Sequence, residues 1–159
     1  MAQSQEYKID TIRHSMAHLM AQAITHQFPD EHIEFGVGPV IDHGFYYDVE
    51  MDHRLNEADL KNIEKKMKEL IKKKLPIERK VMKRDEAIKH FEDIDQKLKV
   101  ELISDIPADE EISFFTQGDF IDLCRGPHVE NTNNLPFSFK LTHVAGAYWR
   151  GSEKNQMLQ

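Results

Sequence analysis

Disulfides, membrane spans and secretion signals are all missing from this sequence. The 159 residues include one cysteine, Cys124, which cannot form an internal disulfide, so the chain gains nothing from an oxidising compartment. No stretch approaches the roughly 18 consecutive apolar residues of a membrane span, and the start has no basic flank followed by an apolar run. These absences argue against a membrane-spanning or secreted protein and predict a cytoplasmic location.

Glycine and proline are scarce as well, with seven and six residues. Hydrophobic residues make up 40% of the chain and charged residues 31%, which is typical of a folded globular domain and not of a disordered, collagenous or coiled-coil chain. A chain of this length can bury one core but rarely two. We therefore predict a single domain over residues 1–159.

Positive charge is in deficit, since the net charge is −7, and this argues against a protein that coats nucleic acid. Residues 54–89 are the exception, with 13 Lys and Arg against 7 Asp and Glu. Many of these lysines lie opposite an apolar stripe, a pattern typical of a solvated helix face, while contact with an RNA backbone is the alternative. The lysines in question are Lys61, Lys65, Lys66, Lys68, Lys72, Lys73 and Lys74.

Apolar residues recur at helical spacing near the start of the chain and again after residue 56. The first stripe predicts a helix over residues 8–28. The second predicts a helix that Asn56 caps and Pro76 closes, because asparagine is a preferred N-cap and proline cannot continue a helix. A shorter helix is predicted over residues 84–91.

Alternating apolar residues and turn signals predict strands in the rest of the sequence. These are a hairpin over 35–49, the segments 77–82, 98–103, 112–116 and 120–123, and a later strand whose inward face carries Phe137, Phe139, Leu141 and His143. The predicted fold class is therefore α+β: a long N-terminal helix and a second amphipathic helix packed on a mainly antiparallel sheet.

Two short motifs hold residues that could carry chemistry. His14 and His18 are four apart on one face of the first helix, away from its apolar stripe, so they could equally be two solvated histidines. Cys124 and His128 flank the turn signal Gly126-Pro127, which can fold them toward one point. Three histidines and one cysteine suit tetrahedral zinc. The spacing allows a metal site without proving one.

Four motifs in chain order carry a family resemblance: RHSMAHL at 13–19, GPVIDHGFYYD at 38–48, DLCRGPHV at 122–129 and AGAYWRG at 145–151. With these motifs the chain resembles the editing domains of threonyl-tRNA synthetases, which are shared in looser form with alanyl-tRNA synthetases and free-standing alanyl-tRNA deacylases. The last two motifs are similar to the threonyl branch. The resemblance implies a domain of a longer synthetase, with residues from about 145 to 159 beginning the connection to a catalytic core.

The activity implied by the resemblance is hydrolysis of serine wrongly attached to threonine tRNA, by attack of water on the ester at the tRNA 3′ acceptor end. Such a second site is needed because serine lacks only one methyl, which offers about 1–3 kcal/mol of discrimination. The implied partners are that acceptor end carrying serine and the remaining synthetase domains. The implied catalytic residues are His14, His18, Lys99, Asp122, Cys124 and His128, and the implied pocket wall includes Gly38, Pro39 and Tyr47.

The resemblance also suggests roles within this set. We expect His14 and Lys99 to position or deprotonate the water, His128 and Asp122 to hold the amine and ribose, and Cys124 with His18 to shape the serine pocket. The threonyl branch implies no bound metal. Two alternatives stay open: a zinc-dependent deacylase of alanyl type using His14, His18, Cys124 and His128, and a non-catalytic module that only binds the acceptor end.

Overall fold

Helices form the larger part of the regular structure. A computed structural model describes residues 6–159, and within that range it contains the α-helices α1 (Ile9–Gln27), α2 (Glu57–Lys72), α3 (Arg84–Asp93) and α4 (Lys97–Asp105). The first three lie where the sequence predicts them. In the described part of the chain, no helix is both long and apolar enough to cross a membrane.

Helix α2 begins at a complete capping box. The Asn56 side chain accepts a hydrogen bond from the Asp59 amide, and the Asp59 carboxylate accepts one from the Asn56 amide, each at 2.9 Å. Two backbone donors that the helix itself leaves unpaired are thus satisfied. The predicted apolar stripe is buried through Ile63, Met67 and Leu70, and the seven lysines listed above are all exposed or half-buried.

Helix α1 is buried on two sides, which its stripe alone does not predict. Met16 and Leu19 enter the main core, while Ser15 and His18 on another side are also buried. The reason is that α1 packs against α2 and also against the turn between two later strands, where the Gln22 side chain donates to the backbone of Gln117 at 3.0 Å. The expectation of solvated histidines is therefore wrong for His18.

Every strand pair in residues 6–159 is antiparallel, as predicted, but the strands form several small sheets. The largest orders β5 (Ile77–Met82), β6 (Ile112–Gln117) and β7 (Phe120–Leu123) side by side. The predicted hairpin is divided: β1 (Glu34–Phe35) pairs with β4 (Val49–Glu50), and β2 (Val40–Ile41) with β3 (Gly44–Phe45). Near the C-terminus β8 (Ala147–Tyr148) pairs with β9 (Met157–Leu158).

Two predicted strands are wrong. Residues 98–103 belong to helix α4, because a five- or six-residue alternation is compatible with either period and packing decides: Leu98 contacts Trp149 and Leu158, while Ile103 joins the core around α3. The segment that carries Phe137 and its neighbours has no regular backbone structure.

The side chains of that irregular segment also depart from the predicted core face. Phe137 is 49% exposed, whereas Phe139 and Leu141 pack partly against the core. The segment lies along α2, where the Lys72 ammonium is 6.0 Å from the centre of the Phe137 ring and the Lys68 ammonium is 5.7 Å from that of Phe139. Lysine stems and cations on α2 thus cover aromatic surface that a strand would have turned inward.

Candidate active site

Helix α1 and the turn after β7 bring the two sequence motifs together. The side-chain ligand atoms of His14, His18, Cys124 and His128 all lie within 4.8 Å of one another. The turn depends on Gly126, which has φ +79°, a conformation that L side chains rarely adopt. A Cβ there would also lie 2.7 Å from the Phe115 ring. We call these four residues the histidine cluster.

Cys124 occupies the centre of the histidine cluster. Its Sγ lies 3.2 Å from Nε2 of His14 and 3.2 Å from Nε2 of His128, and it accepts a hydrogen bond from the Gly126 amide at 3.2 Å. Burial raises the pKa of this thiol to about 11. At neutral pH Cys124 is therefore a protonated thiol that can donate one hydrogen bond, and not a thiolate nucleophile.

The three imidazoles are packed closely and stay neutral. The ring centres of His14 and His128 are 4.4 Å apart, and those of His18 and His128 are 4.3 Å apart. Burial lowers the pKa of all three, with the neighbouring imidazoles adding to the effect at His18 and His128. At His14 the charge of Asp122 opposes part of the shift. Neutral imidazoles at physiological pH are available as proton acceptors.

A second cluster, buried behind the first, contains Lys99, Asp122 and Tyr47. The Lys99 ammonium lies 2.7 Å from Asp122 Oδ1 and donates to the Gly36 carbonyl at 2.8 Å and to the Tyr47 hydroxyl at 2.9 Å. Tyr47 in turn donates to Asp122 Oδ2. Burial and the adjacent Asp122 raise the pKa of Tyr47 well above its usual value, so its hydroxyl keeps the proton that it donates. We call these three residues the lysine–aspartate cluster.

Asp122 connects the two clusters, since its Oδ2 lies 3.4 Å from Nε2 of His18. The structure brings Lys99 to Asp122, and helix α4 carries it instead of the predicted strand. All three ammonium hydrogens of Lys99 are directed at oxygen atoms. It therefore holds Asp122 and Tyr47 in place and has no free donor for a water.

Access to the site is unequal. His18, Lys99 and Asp122 are 4%, 4% and 1% exposed, whereas His14, Cys124 and His128 are half-buried. Any molecule that enters from solvent first meets the edge formed by the second group. The more deeply buried residues act on it through their neighbours.

Of the residues predicted for the pocket wall, Gly38 packs directly against the Tyr47 ring. A Cβ at Gly38 would lie 2.5 Å from the Tyr47 ring, so only glycine allows this close approach. Pro39 accepts a backbone hydrogen bond from Tyr46 at 3.3 Å, just before the β2–β3 turn. Gly38 and Tyr47 are thus brought together, while Pro39 contributes to the hairpin that carries them.

Sequence reasoning missed three residues of the site. Gly36 accepts from Lys99, the Phe115 ring centre lies 4.4 Å from that of His128, and Ser15 Oγ lies 2.9 Å from His128 Nδ1. Ser15 could have been noticed, because it stands three positions before His18 and helical spacing puts the two on one side. No local signal identifies the other two.

Comparison with known proteins finds one matching family model and several similar proteins. Residues 112–159 match the family model described as "Threonyl and Alanyl tRNA synthetase second additional domain". A threonine–tRNA ligase of Exiguobacterium sp. is 54% identical over 152 residues, which cover 95% of this chain and 23% of the relative. One from Janthinobacterium sp. is 55% identical over 151 residues, with the same two shares. The chain thus spans 23% of the length of these relatives.

The match to this family model covers residues 112–159 of the chain, whereas the similarity to threonine–tRNA ligases extends over 95% of it. Its relatives from Exiguobacterium and Janthinobacterium are threonine–tRNA ligases, and so is one from Halalkalibacterium halodurans that is 52% identical over 95% of this chain and 23% of its own length. The resemblance carried by the four sequence motifs is confirmed, including its assignment to the threonyl branch.

Proposed function

We propose that this chain is an editing deacylase, which hydrolyses the ester of seryl-tRNA formed on the threonine-accepting tRNA. The observation that carries the proposal is the histidine cluster itself: neutral imidazoles and a protonated thiol converge within 4.8 Å, at an edge that solvent reaches. Such a group of uncharged acceptors and donors suits proton transfer to and from water beside an ester. The tRNA acceptor end and the other synthetase domains are the proposed partners.

His14 is the residue that we assign to the attacking water. It is half-buried and neutral, and the charge of Asp122 favours the imidazolium that forms when it accepts a proton. The water oxygen attacks the ester carbonyl carbon while its proton passes to His14. The bond from that carbon to the ribose oxygen then breaks, and the ribose oxygen takes the proton from His14, which releases serine and free tRNA and leaves His14 neutral.

The remaining residues of the two clusters have electrostatic, positioning and substrate-contact roles in this proposal. Asp122 places a buried carboxylate beside the imidazoles, where its charge favours the imidazolium that forms on His14. Lys99 holds Asp122 through a 2.7 Å contact and therefore acts as a positioning residue. His128 and Cys124, at the accessible edge, are the side chains that we assign to contact with the serine.

Zinc-dependent hydrolysis is the second candidate, because the same four residues form a donor set that fits the ion. His14, His18, Cys124 and His128 would hold zinc, with their ligand atoms already within 4.8 Å. When bound, the ion would supply Lewis-acid polarisation of the ester or of a water. We favour a metal-free site, because the thiol and imidazoles already pair with one another and the relatives belong to the threonyl branch.

The test measures hydrolysis of seryl-tRNA and threonyl-tRNA by this chain, with zinc content determined on the same sample. Serine should be released faster than threonine, a chelator should not stop the reaction, and His14→Ala should lower the rate by about 10²–10⁴-fold because the general base is lost. His32→Ala is the matched control, since His32 is an exposed histidine beside Glu34 and Asp95.

Three outcomes would contradict this proposal in different ways. Loss of activity with a chelator, together with one zinc per chain, would favour the zinc-dependent candidate. Equal background rates for both esters, even with the chain in large excess over tRNA, would reject deacylation. Protection of the ester without hydrolysis would identify an acceptor-end binding module instead.

A further inference from the structure

Ser15 is a buried residue of the site to which the proposed reaction assigns no role. It lies on α1 between His14 and Met16 and is 0% exposed. Its Oγ lies 3.0 Å from the backbone nitrogen of Val129 and 2.9 Å from Nδ1 of His128. One hydroxyl thus joins helix α1 to the turn after β7, across 113 residues of sequence.

The direction of these two hydrogen bonds can be worked out. The Val129 amide can only donate, so Oγ accepts from it. A buried hydroxyl proton needs an acceptor of its own, and within residues 6–159 the remaining partner of Oγ is His128 Nδ1. Ser15 therefore donates to Nδ1, which must be unprotonated to accept.

This assignment determines the tautomer of His128. A neutral imidazole carries one hydrogen, and with Nδ1 unprotonated that hydrogen is on Nε2, which lies 3.2 Å from Cys124 Sγ. His128 therefore donates to the sulfur. The single hydrogen of the thiol is then left for the other imidazole at 3.2 Å, His14 Nε2, which acts as an acceptor.

We propose that Ser15 is a positioning residue that holds His128 in the Nε2–H tautomer, so that His128 donates to the Cys124 sulfur and Nε2 of His14 stays unprotonated. The inference deepens the proposed function and rests on it for its catalytic consequence. The tautomer itself is independent of any activity. A metal bound through His128 Nε2 would require the opposite tautomer.

Nuclear magnetic resonance gives the direct test. Long-range ¹H–¹⁵N correlation spectra of the ¹⁵N-labelled chain, treated with a chelator to remove metal, report which nitrogen of each neutral imidazole carries hydrogen. His128→Gln identifies the His128 signals by their disappearance. We expect Nε2–H in the unsubstituted chain, and an Nδ1–H tautomer would overturn the inference whether or not the chain is active.

Substitution of Ser15 gives the kinetic test. Ser15→Ala should mix the two tautomers and lower kcat by about fivefold with little change in KM, because the hydrogen bond to His128 Nδ1, worth about 1 kcal/mol, is lost. Ser15→Thr keeps the hydroxyl and should restore both the tautomer and kcat. Ser104→Ala is the matched control, since Ser104 is an exposed helical serine that donates to the Val100 carbonyl.

The two readouts separate this inference from the proposed function. An inactive chain with His128 in the Nε2–H form would reject deacylation and retain the role of Ser15. If the chain is active and Ser15→Ala leaves both the tautomer and kcat unchanged, the positioning role of Ser15 is rejected and the proposed deacylase function is retained. A folded Ser15→Thr variant that behaves like Ser15→Ala would also count against Ser15, because the hydroxyl is then not the cause.

Discussion

Lys99 contributes to the candidate site although its own side chain is almost fully buried. It is 4% exposed and its charge is balanced by Asp122, which is 1% exposed. Burying two charges is costly, and the cost is offset only while the pair and its hydrogen bonds are complete. The Gly36 carbonyl and the Tyr47 hydroxyl complete this pair.

Removing one member of the pair should therefore destabilise the protein strongly. Lys99→Met leaves Asp122 as an uncompensated buried charge, so we expect the free energy of unfolding to fall by about 3–5 kcal/mol. Urea denaturation followed by circular dichroism measures the change. Lys97→Met, which alters an exposed lysine on the same helix, should have little effect. In the double variant Lys99→Met with Asp122→Asn, the loss of unfolding free energy should be smaller than the sum of the losses in the two single variants.

The turn after β7 is the element on which the histidine cluster depends. Strand β7 places Asp122 opposite Phe115 in the sheet, and the chain then reverses at Gly126 so that His128 returns toward Cys124. The Phe115 ring lies against both the glycine and His128. The positions of the cluster residues therefore depend on both the strand register and the conformation of the turn.

Gly126→Ala should disturb the turn after β7 in two ways. It forces an L side chain into φ +79° and puts a Cβ 2.7 Å from the Phe115 ring. We expect a loss of at least 1–2 kcal/mol of stability, about what the left-handed conformation alone costs, together with a lower deacylation rate. Gly44→Ala is the control, because a Cβ there meets nothing within 4 Å. Equal melting temperatures and rates for the two variants would contradict this account.

At the scale of the whole molecule, the buried imidazoles couple folding to pH. The pKa of His18 and that of His128 are lowered by burial, the latter to about 2, whereas in the unfolded chain a histidine has a pKa of about 6.5. As pH falls below that value, the unfolded state binds protons that the folded state does not. Stability is therefore complete above about pH 6.5 and declines as the pH falls.

The slope of that decline is the measurable quantity. Between pH 7.5 and 5.5, in the presence of a chelator, each of the two histidines should remove about 1.4 kcal/mol per pH unit once the unfolded state is protonated. Urea midpoints across this range give the slope. His128→Gln should reduce it by about one proton, and His143→Gln, at an exposed histidine, is the control. A flat profile would show that these imidazoles are protonated alike in both states.

Local signals predict much of this molecule. The stripes of α1 and α2, the Asn56 cap and the antiparallel pairing at Gly118 follow from spacing, capping chemistry and turn residues, all of which act within a few positions. Residues 98–103 mislead the prediction because their alternation fits either period, and contacts with Trp149 and Leu158 decide for helix α4. The strand predicted around Phe137 is wrong for a different reason, since this segment lies against α2 and pairs with no neighbouring strand among the described residues.

By itself the sequence determined the candidate site residues, because His14, His18, Cys124 and His128 stand in short motifs whose spacing and resemblance are visible along the chain. Only the tertiary structure decided that His18 is buried, that Lys99 is committed to Asp122, Gly36 and Tyr47, and that Ser15 contacts His128. The physical reason is that burial and hydrogen-bond direction depend on groups that are distant in sequence. A proton's position on an imidazole is set by those neighbours and not by the residues beside it in the chain.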